Sequence, residues 1–266
     1  MNHKKDNLVN QARKIVDLYT LDLGPDDPKT LQARFRLGRA LLLEGEYREA
    51  RDVFSEVLTS QHAHFDESQD QIFTTQWHLA STLLILGESD DSLRLLQHIV
   101  EVAQVNRLSD DSFPLSKALP DLARVLFLLG RYSEEVPLRR RVLASLVRTL
   151  PLDDPKVLEA RINLAWSLRG AGENQEALEL DALNLQELDR YPESRVAILN
   201  VRYNRGIDLI KVGRTDEGEQ EVVAAYDLII AELPPNDPLR LTVEPRGPQI
   251  KQYRKRAKYR ERQRRR

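Results

Sequence analysis

The most constraining feature of this 266-residue chain is a ladder of glycines with a nearly constant spacing. Successive members are separated by 42, 43, 42 and 41 residues, and they are Gly45, Gly87, Gly130, Gly172 and Gly213. Self-similarity at a fixed period of roughly 20 to 50 residues indicates a repeat protein. The sequence therefore predicts five copies of one small structural unit rather than a single globular core.

Each glycine follows an amphipathic segment of the same pattern. Leucine lies eight residues before the glycine in four repeats, with Arg205 as the exception, and four residues before it in all five. The residue seven before the glycine is always Gly or Ala, so these positions form one helix face that a neighbouring helix can approach closely. Glycine ends such a helix because it adopts positive φ without a steric penalty. A second amphipathic stretch follows, which makes each repeat a helix, a tight turn and a helix.

A proline-rich acidic motif marks the boundary between repeats. It reads "LGPDDPKTL" from Leu23, "LPLDDPKVL" from Leu150 and "LPPNDPLRL" from Leu233. The Asp before the last proline can accept hydrogen bonds from unpaired backbone N–H groups, and Pro fits the first helical turn, where no donor is needed. The motif therefore predicts the start of the first helix of a repeat.

Together these motifs resemble tetratricopeptide repeats of the long, 42-residue kind found in kinesin light chains and in many bacterial, especially actinobacterial, regulators. The resemblance covers roughly residues 8–233 and implies an all-α, right-handed α-solenoid of about five helix-turn-helix repeats. We expect an N-terminal helix, Asn7 to Leu21, in segment 1–24 as a half repeat or cap, the five repeats in 25–236, and an aborted helix with a basic tail in 237–266. Pro120 and Pro137 predict an irregular or kinked third repeat.

The resemblance also implies a concave groove lined by the first helix of each repeat. Residues nine and six before each glycine are expected to point into it, and the candidates are Arg36, Arg39, His78, Asp121, Arg124, Asn163, Trp166 and Asn204. The two asparagines could pair with the backbone of an extended peptide, and Arg39 and Arg124 could hold carboxylates. The alternative is that these are solvated groove residues without a ligand, and that Trp166 only packs.

The net charge of −2 hides a strong asymmetry along the chain. Residues 246–266 hold eleven Lys or Arg and one acidic residue, which leaves 29 basic and 41 acidic residues in positions 1–245. Three alternatives remain open: a solvated, largely disordered end; docking on the acidic body of this chain or of a partner; and binding to nucleic acid or anionic lipid. The candidate polyanion-binding residues are Lys251, Arg254, Lys255, Arg256, Lys258 and Arg260.

Catalytic and metal-binding motifs are scarce. The chain has no cysteine, no phosphate-binding glycine loop, no dinucleotide fingerprint and no nucleophile elbow, so we predict no enzyme activity and no cofactor. The segment "QHAHFDES" at Gln61 to Ser68 could ligate a metal in principle, but a solvated loop is favoured and no metal site is predicted. The first residues lack the apolar stretch of a secretory signal, and no apolar run approaches the length of a membrane span, so a cytoplasmic location is expected.

These observations predict a scaffold, adaptor or sensor module that binds a protein or peptide partner in the groove. The alternative function is association with nucleic acid, or another anionic surface, through the basic tail. The fifth repeat is expected to lack a cap, which would allow pairing with a second copy. In relatives such arrays are often attached to regulators, so the chain is expected to act in trans or as a piece of a larger protein.

Overall fold

A computed structural model describes residues 5–66, 70–190 and 194–264, and these residues form α-helices without a β-strand. The helices are α1 (Lys5–Leu23), α2 (Pro28–Glu44), α3 (Tyr47–His64), α4 (Asp70–Ile85), α5 (Ser89–Val105), α6 (Leu115–Leu128), α7 (Tyr132–Thr149), α8 (Pro155–Ala171), α9 (Asn174–Leu188), α10 (Arg195–Lys211), α11 (Thr215–Glu232), α12 (Pro238–Val243) and α13 (Gly247–Arg264). A single 3-10 turn, Glu244–Arg246, joins the last two helices. The predicted all-α class is confirmed.

The chain divides into two compact bodies, an N-terminal body of residues 1–145 and a C-terminal body of residues 146–266. In the N-terminal body the consecutive pairs α1–α2, α2–α3, α3–α4, α4–α5 and α5–α6 pack together, and in the C-terminal body so do α8–α9, α9–α10 and α10–α11. The helices before the ladder glycines, which we call the first helices, are α2, α4, α6, α8 and α10. The second helices are α3, α5, α7, α9 and α11. This sequential packing confirms the α-solenoid of helix-turn-helix repeats.

The glycine ladder lies in the turns between first and second helices, as predicted. All five glycines have positive φ, between 69° and 88°, and a β-carbon at any of them would meet open space. The backbone conformation, rather than crowding, is therefore what requires glycine there. Close helix packing, rather than backbone conformation, explains the small residues seven positions earlier. A β-carbon on Gly38, for example, would lie 2.7 Å from the Phe54 ring.

The acidic proline motifs start helices in the predicted manner. The carboxylates of Asp27 and Asp154 each accept a hydrogen bond of 2.8 Å from the backbone N–H two residues later, and Asp237 does the same at the start of α12. The following prolines occupy the first turn of α2, α8 and α12. The motif thus satisfies otherwise unpaired donors at three helix starts.

The N-terminal helix and the third repeat depart from the regular pattern. Helix α1 extends two residues beyond the predicted helix at each end and packs on α2 through Val9. The third repeat has a first helix of 14 residues, shorter than the 16 or 17 of the others. Pro120 and Pro137 lie inside α6 and α7 rather than at their starts, and the helices continue across them.

The C-terminal segment is a correction to the sequence-based view. The interpretation of the tail as a disordered end is wrong for residues 247–264, which form α13, and α13 packs on α11 with Ile250 and Tyr253 buried. The expectation of an uncapped fifth repeat is therefore wrong as well. Pro248 is compatible with α13 because it lies in the first turn, where a missing donor is tolerated.

Candidate peptide-binding site

His78, on the first helix α4, belongs to an aromatic cluster of the N-terminal body. Its ring stacks on Phe54 at 5.5 Å between centroids and contacts Phe35 and Trp77 at 5.2 and 4.7 Å. Burial, and then the charge of Arg39, lower the pKa of His78 to about 4. The imidazole is therefore neutral at pH 7 and packs into the wall of the first helices rather than presenting a charge.

Asp121, on α6, links two first helices. Its carboxylate accepts a hydrogen bond of 2.7 Å from the indole N–H of Trp77 and a longer one, 3.5 Å, from Ser81. Arg124 lies 3.5 Å from the other carboxylate oxygen, so these two predicted groove residues contact each other. The positive charge of Arg124 is therefore partly balanced within the protein, by the carboxylate of Asp121.

Arg36 and Arg39 behave differently, because both are exposed on α2 and no ion pair is found for either among the described residues. Helix α2 has no acidic residue between positions 28 and 43, and Asp70 is the only acidic residue in α4. This part of an otherwise acidic body therefore has a net positive charge on its first helices.

In the C-terminal body the predicted asparagines lie on neighbouring first helices. Asn163, on α8, is half-buried, and no hydrogen-bond partner of its side chain is found among the described residues. Asn204, on α10, donates a 2.8 Å hydrogen bond from its amide nitrogen to the side-chain oxygen of Asn200. This hydrogen bond leaves the side-chain oxygen of Asn204 available as an acceptor and the side-chain nitrogen of Asn200 available as a donor. Trp166, the third predicted residue of this body, is 39% exposed on α8.

A buried ionic cluster, which the sequence analysis did not predict, is centred on Arg169, three residues after Trp166 in α8. The guanidinium of Arg169 contacts Asp181 of α9 and Asp208 of α10, each at 2.7 Å. The two carboxylates are 2% and 0% exposed, and Asp181 also accepts from Asn184 at 3.4 Å. Burial, and repulsion from Asp208, raise the pKa of Asp181 to about 6 against the opposing effect of Arg169. The cluster ties three helices of the C-terminal body together.

A model of the family described as "Tetratrico peptide repeat" matches residues 33–152 and, overlapping them, residues 116–227. The chain belongs to the tetratricopeptide repeat (TPR) family. No curated protein matches the chain.

Solved structures share the TPR fold at low sequence identity. A kinesin light chain-like protein of Podosopora anserina with nearly identical TPR-like repeats is 23% identical, with a TM-score of 0.62 over 73% of this chain and 91% of its own. BtubC (BKLC) from P. vanneervenii is 16% identical, with a TM-score of 0.61 over 88% and 94%. YrrB, a TPR protein with an unusual peptide-binding site, is 14% identical, with a TM-score of 0.61 over 88% and 98%. The kinesin-light-chain-like type expected from the sequence is confirmed.

The six basic residues predicted to bind a polyanion form two groups on α13, one that pairs with α11 and one that faces solvent. Arg254, Arg256 and Arg260 form ion pairs with α11, where Glu219 contacts both Arg256 and Arg260 at 2.7 Å and Asp227 contacts Arg254. The structure thus shows docking on the acidic body of the chain itself. Lys251, Lys255 and Lys258 are exposed, and the described part of the chain offers them no ion-pair partner.

The histidine segment shows no metal site in its described part. His62 and His64 lie in the last turn of α3, and His64 contacts the carbonyl of Ser60 through Nδ1 at 2.8 Å. Glu67 and Ser68 lie outside the described residues. Within the described ranges no group of three or more His, Cys, Asp or Glu is arranged to hold a metal ion. Across the same ranges, no helix is both long enough and apolar enough to cross a membrane.

Proposed function

We propose that this TPR chain is an interaction scaffold that binds an extended segment of a protein partner on its first helices. The observation that carries the proposal is the pair Asn163 and Asn204, which occupy the same position of successive repeats and keep unused amide donors and acceptors. An amide can donate to and accept from a peptide backbone at once, which gives affinity without strict sequence preference. The peptide-binding site named for YrrB supports this class of function.

The proposed role is binding without catalysis and without a cofactor, and it is expected to take place in the cytoplasm. A partner segment bound by the N-terminal body is expected to carry acidic residues, because Arg36 and Arg39 present unpaired charge on α2. Binding without catalysis and the preference for an acidic segment can both be explained by the repeats.

The test uses the double variant Asn163→Ala and Asn204→Ala. Partners are first captured from an extract of the native cell with the wild-type protein, and their affinity for each variant is then measured. Losing one amide contact costs about 1 kcal/mol, so the double variant should bind roughly 10- to 30-fold more weakly. The matched control is Gln175→Ala with Gln186→Ala, which removes two exposed amides from the second helix α9. Full-strength binding by the asparagine variant would refute the proposal.

A second candidate function, association with a nucleic acid through α13, is favoured by one specific observation. Lys251, Lys255, Lys258 and Arg262 are spaced by four, three and four residues and are all exposed, so they form one stripe along the helix. Deleting the tail would also remove the cap of α11, so the test is the triple change of these lysines to glutamate. Salt-dependent binding of a generic oligonucleotide that disappears in the triple variant would support this function, and unchanged binding would exclude it.

A further inference from the structure

A cavity of about 340 Å³ lies in the C-terminal body, where it is lined by residues of α10 and of the second helices α9 and α11. Its charged lining consists of Arg202 and Arg205 of α10, Glu221 of α11, and Asp189, which directly follows α9. Its apolar lining consists of Leu185, Ala224, Ala225 and Leu228. A volume of this size lies at the small end of the range for ligand pockets, so it suits a small molecule.

The cavity is separate from the surface proposed to bind a partner segment. Successive residues of an α-helix are turned by about 100°, so Arg202 and Arg205 lie about 160° and 100° around α10 from Asn204. The rest of the lining comes from α9, from Asp189 and from α11, and none of these belongs to a first helix. A ligand in the cavity would therefore not occupy the first-helix surface.

The internal repeats show that two of the charged residues are exceptions. Arg205 lies eight residues before its ladder glycine, where the other repeats have the buried residues Leu37, Leu79, Leu122 and Leu164. Glu221 lies eight residues after the same glycine, where the other repeats have Val53, Leu95, Leu138 and Leu180. Packing of a helix pair therefore requires a charge at neither position, which indicates that the two residues have another role in the fifth repeat.

The four charged groups of the cavity are loosely paired. Nη1 of Arg205 lies 3.1 Å from Oε1 of Glu221, but Nη2 of Arg202 lies 4.0 Å from Oδ1 of Asp189, which exceeds hydrogen-bond length. Each guanidinium has five N–H donors, so these contacts use a small part of its capacity. Burial raises the pKa of Glu221, although Arg205 and Arg202 oppose the rise, so its negative charge is incompletely compensated.

The presence of both signs of charge restricts the class of ligand. A simple anion would be attracted by the two arginines but repelled by the two carboxylates, and a simple cation would meet the reverse. A zwitterion can place its carboxylate at the arginines and its ammonium group at a carboxylate, which makes both interactions favourable. The apolar part of the lining favours an aliphatic group on the same molecule.

We propose that the cavity binds a free α-amino acid with an aliphatic side chain. The carboxylate of the ligand lies between Arg202 and Arg205, which are three residues apart and therefore neighbours on the surface of α10. Its ammonium group donates to Glu221, and its side chain packs on Leu185 and Leu228. The TPR chain thus has a small-molecule site beside its second helices, in addition to the proposed partner surface.

The first experiment measures which groups of the ligand are required, with defined probes on the full chain. L-leucine is compared by NMR titration with N-acetyl-L-leucine, which lacks the ammonium group, and with L-leucinamide, which lacks the carboxylate. Leucine should bind roughly 10- to 100-fold more tightly than either, since each loses charge-assisted hydrogen bonds. Backbone amide shifts should concentrate at Leu185, Arg205 and Ala225. Equal affinity for leucine and a blocked compound, or no shift at these residues up to the solubility limit of leucine, would overturn the proposal.

A double variant tests the site without leaving an unpaired charge. The second, third and fourth repeats have leucine at both positions, so Arg205→Leu with Glu221→Leu copies a combination that the fold already contains. Because apolar residues of similar volume often replace an ion pair without loss of stability, the melting temperature should not fall, whereas leucine binding should disappear. The matched control, Arg195→Leu with Glu232→Leu, removes another ion pair between α10 and α11, of 2.7 Å, and should keep full affinity. Unchanged leucine binding by the first variant, or an equal loss in both, would contradict the proposed site.

Single substitutions test the orientation of the ligand. Glu221→Gln removes the partner of the ammonium group, so it should weaken leucine binding roughly 10-fold or more while N-acetyl-L-leucine, which has no ammonium group, binds at least as well as before. Arg202→Gln should weaken the binding of both compounds, because both have the carboxylate. If Glu221→Gln weakens both compounds equally, or Arg202→Gln weakens neither, the ligand is not held as proposed.

This outcome is separable from that of the proposed function. The variant with Asn163→Ala and Asn204→Ala should bind leucine with full affinity, because its changes lie on the first-helix surface. Loss of leucine binding in this variant would place the ligand on the side of Asn204 and overturn the second-helix site. If leucine binds as expected but the asparagine variant keeps full partner affinity, only the proposed asparagine contacts are wrong.

Discussion

Replacing Arg169 by methionine should destabilise the C-terminal body strongly. Methionine keeps much of the length and apolar stem of arginine but removes the guanidinium that contacts both Asp181 and Asp208. The two carboxylates are almost fully buried, so water cannot replace the lost partner. The change therefore leaves uncompensated charge in the interior, which is a severe kind of single substitution.

The loss of stability is set by the least costly way to remove the uncompensated charge, which is proton uptake by one of the two buried carboxylates. An aspartate with an unfolded pKa near 3.9 must take up a proton at pH 7, which costs about 4 kcal/mol at 1.36 kcal/mol per pKa unit. This agrees with the loss of about 3–5 kcal/mol expected when a buried ion pair is broken. At pH 5 the same uptake costs only about 1.5 kcal/mol. We expect a larger loss in unfolding free energy at pH 7 than at pH 5, because proton uptake costs less at the lower pH.

Asp181→Asn is the informative companion, because its effect should have the opposite sign. The pKa of Asp181 is raised to about 6 in the folded state, so the folded protein binds this proton more tightly than the unfolded chain does. Its contribution to stability therefore falls as pH rises from about 4 to about 6, by about 3 kcal/mol in all. Asparagine leaves one guanidinium facing one carboxylate. The variant should be more stable than the wild type at pH 7 and should lack this pH dependence.

The assay can isolate the C-terminal body because each body contains one tryptophan. In a Trp77→Phe background, the fluorescence of Trp166 reports unfolding of the C-terminal body during a urea titration. The wild type, Arg169→Met and Asp181→Asn are compared at pH 7 and pH 5. An Arg169→Met protein within about 1 kcal/mol of the wild type at pH 7, or a loss that stays equal at pH 5, would refute the reasoning.

Three further predictions concern other parts of the chain. Gly130→Ala should lower stability by about 1 kcal/mol or more in thermal unfolding, because φ is 69°. Gly247→Ala should cost less, because φ is a helical −45° and the new β-carbon needs only a small shift of the Tyr226 hydroxyl, which lies 3.2 Å away; equal shifts would contradict the assignment of the turn. Arg256→Gln with Arg260→Gln should cost about 1–3 kcal/mol in urea unfolding, because Glu219 is only 1% exposed although both arginines are partly solvated. Arg254→Gln, facing the exposed Asp227, should cost less than about 1 kcal/mol; a reversed order would show that α13 does not dock as described. The His78 ring should titrate near pH 4 by NMR, and a midpoint near 6.5 would show that the ring is solvated.

The repeat architecture could be predicted because its determinants are local in sequence. A positive φ at a glycine and a cap such as Asp154 before Pro155 need only a few neighbouring residues, and both recur with the period of the fold. The docking of α13 could not be predicted in this way. Ile250 and Tyr253 are separated by charged or polar residues, and the cations beside them become favourable only when the acidic face of α11 is opposite.

The repeat register predicted which helices carry the candidate residues, but not how their side chains pair. Repeat register placed Asp121 and Arg124 on a first helix, but the bond from Trp77 to Asp121 joins residues 44 apart and depends on how α4 lies against α6. Asn200 could have been found, because it lies four residues before Asn204, on the same helix face. Which asparagine oxygen stays unused is a property of the fold alone.

A repeat protein carries its own internal comparison, and this comparison separates two kinds of buried polar residue. Aligned on the ladder glycines, Arg169 stands where the other repeats have Leu42, Leu84, Phe127 and Ile210, and Gln61 likewise replaces apolar residues. Arg169 finds its partners inside the chain, in Asp181 and Asp208, so its exception to the pattern is resolved by structure. Gln61 has no such partner for its oxygen among the described residues. Both residues stand at positions that the other repeats fill with apolar side chains, but only Arg169 is matched by buried groups of opposite charge within the described part of the chain.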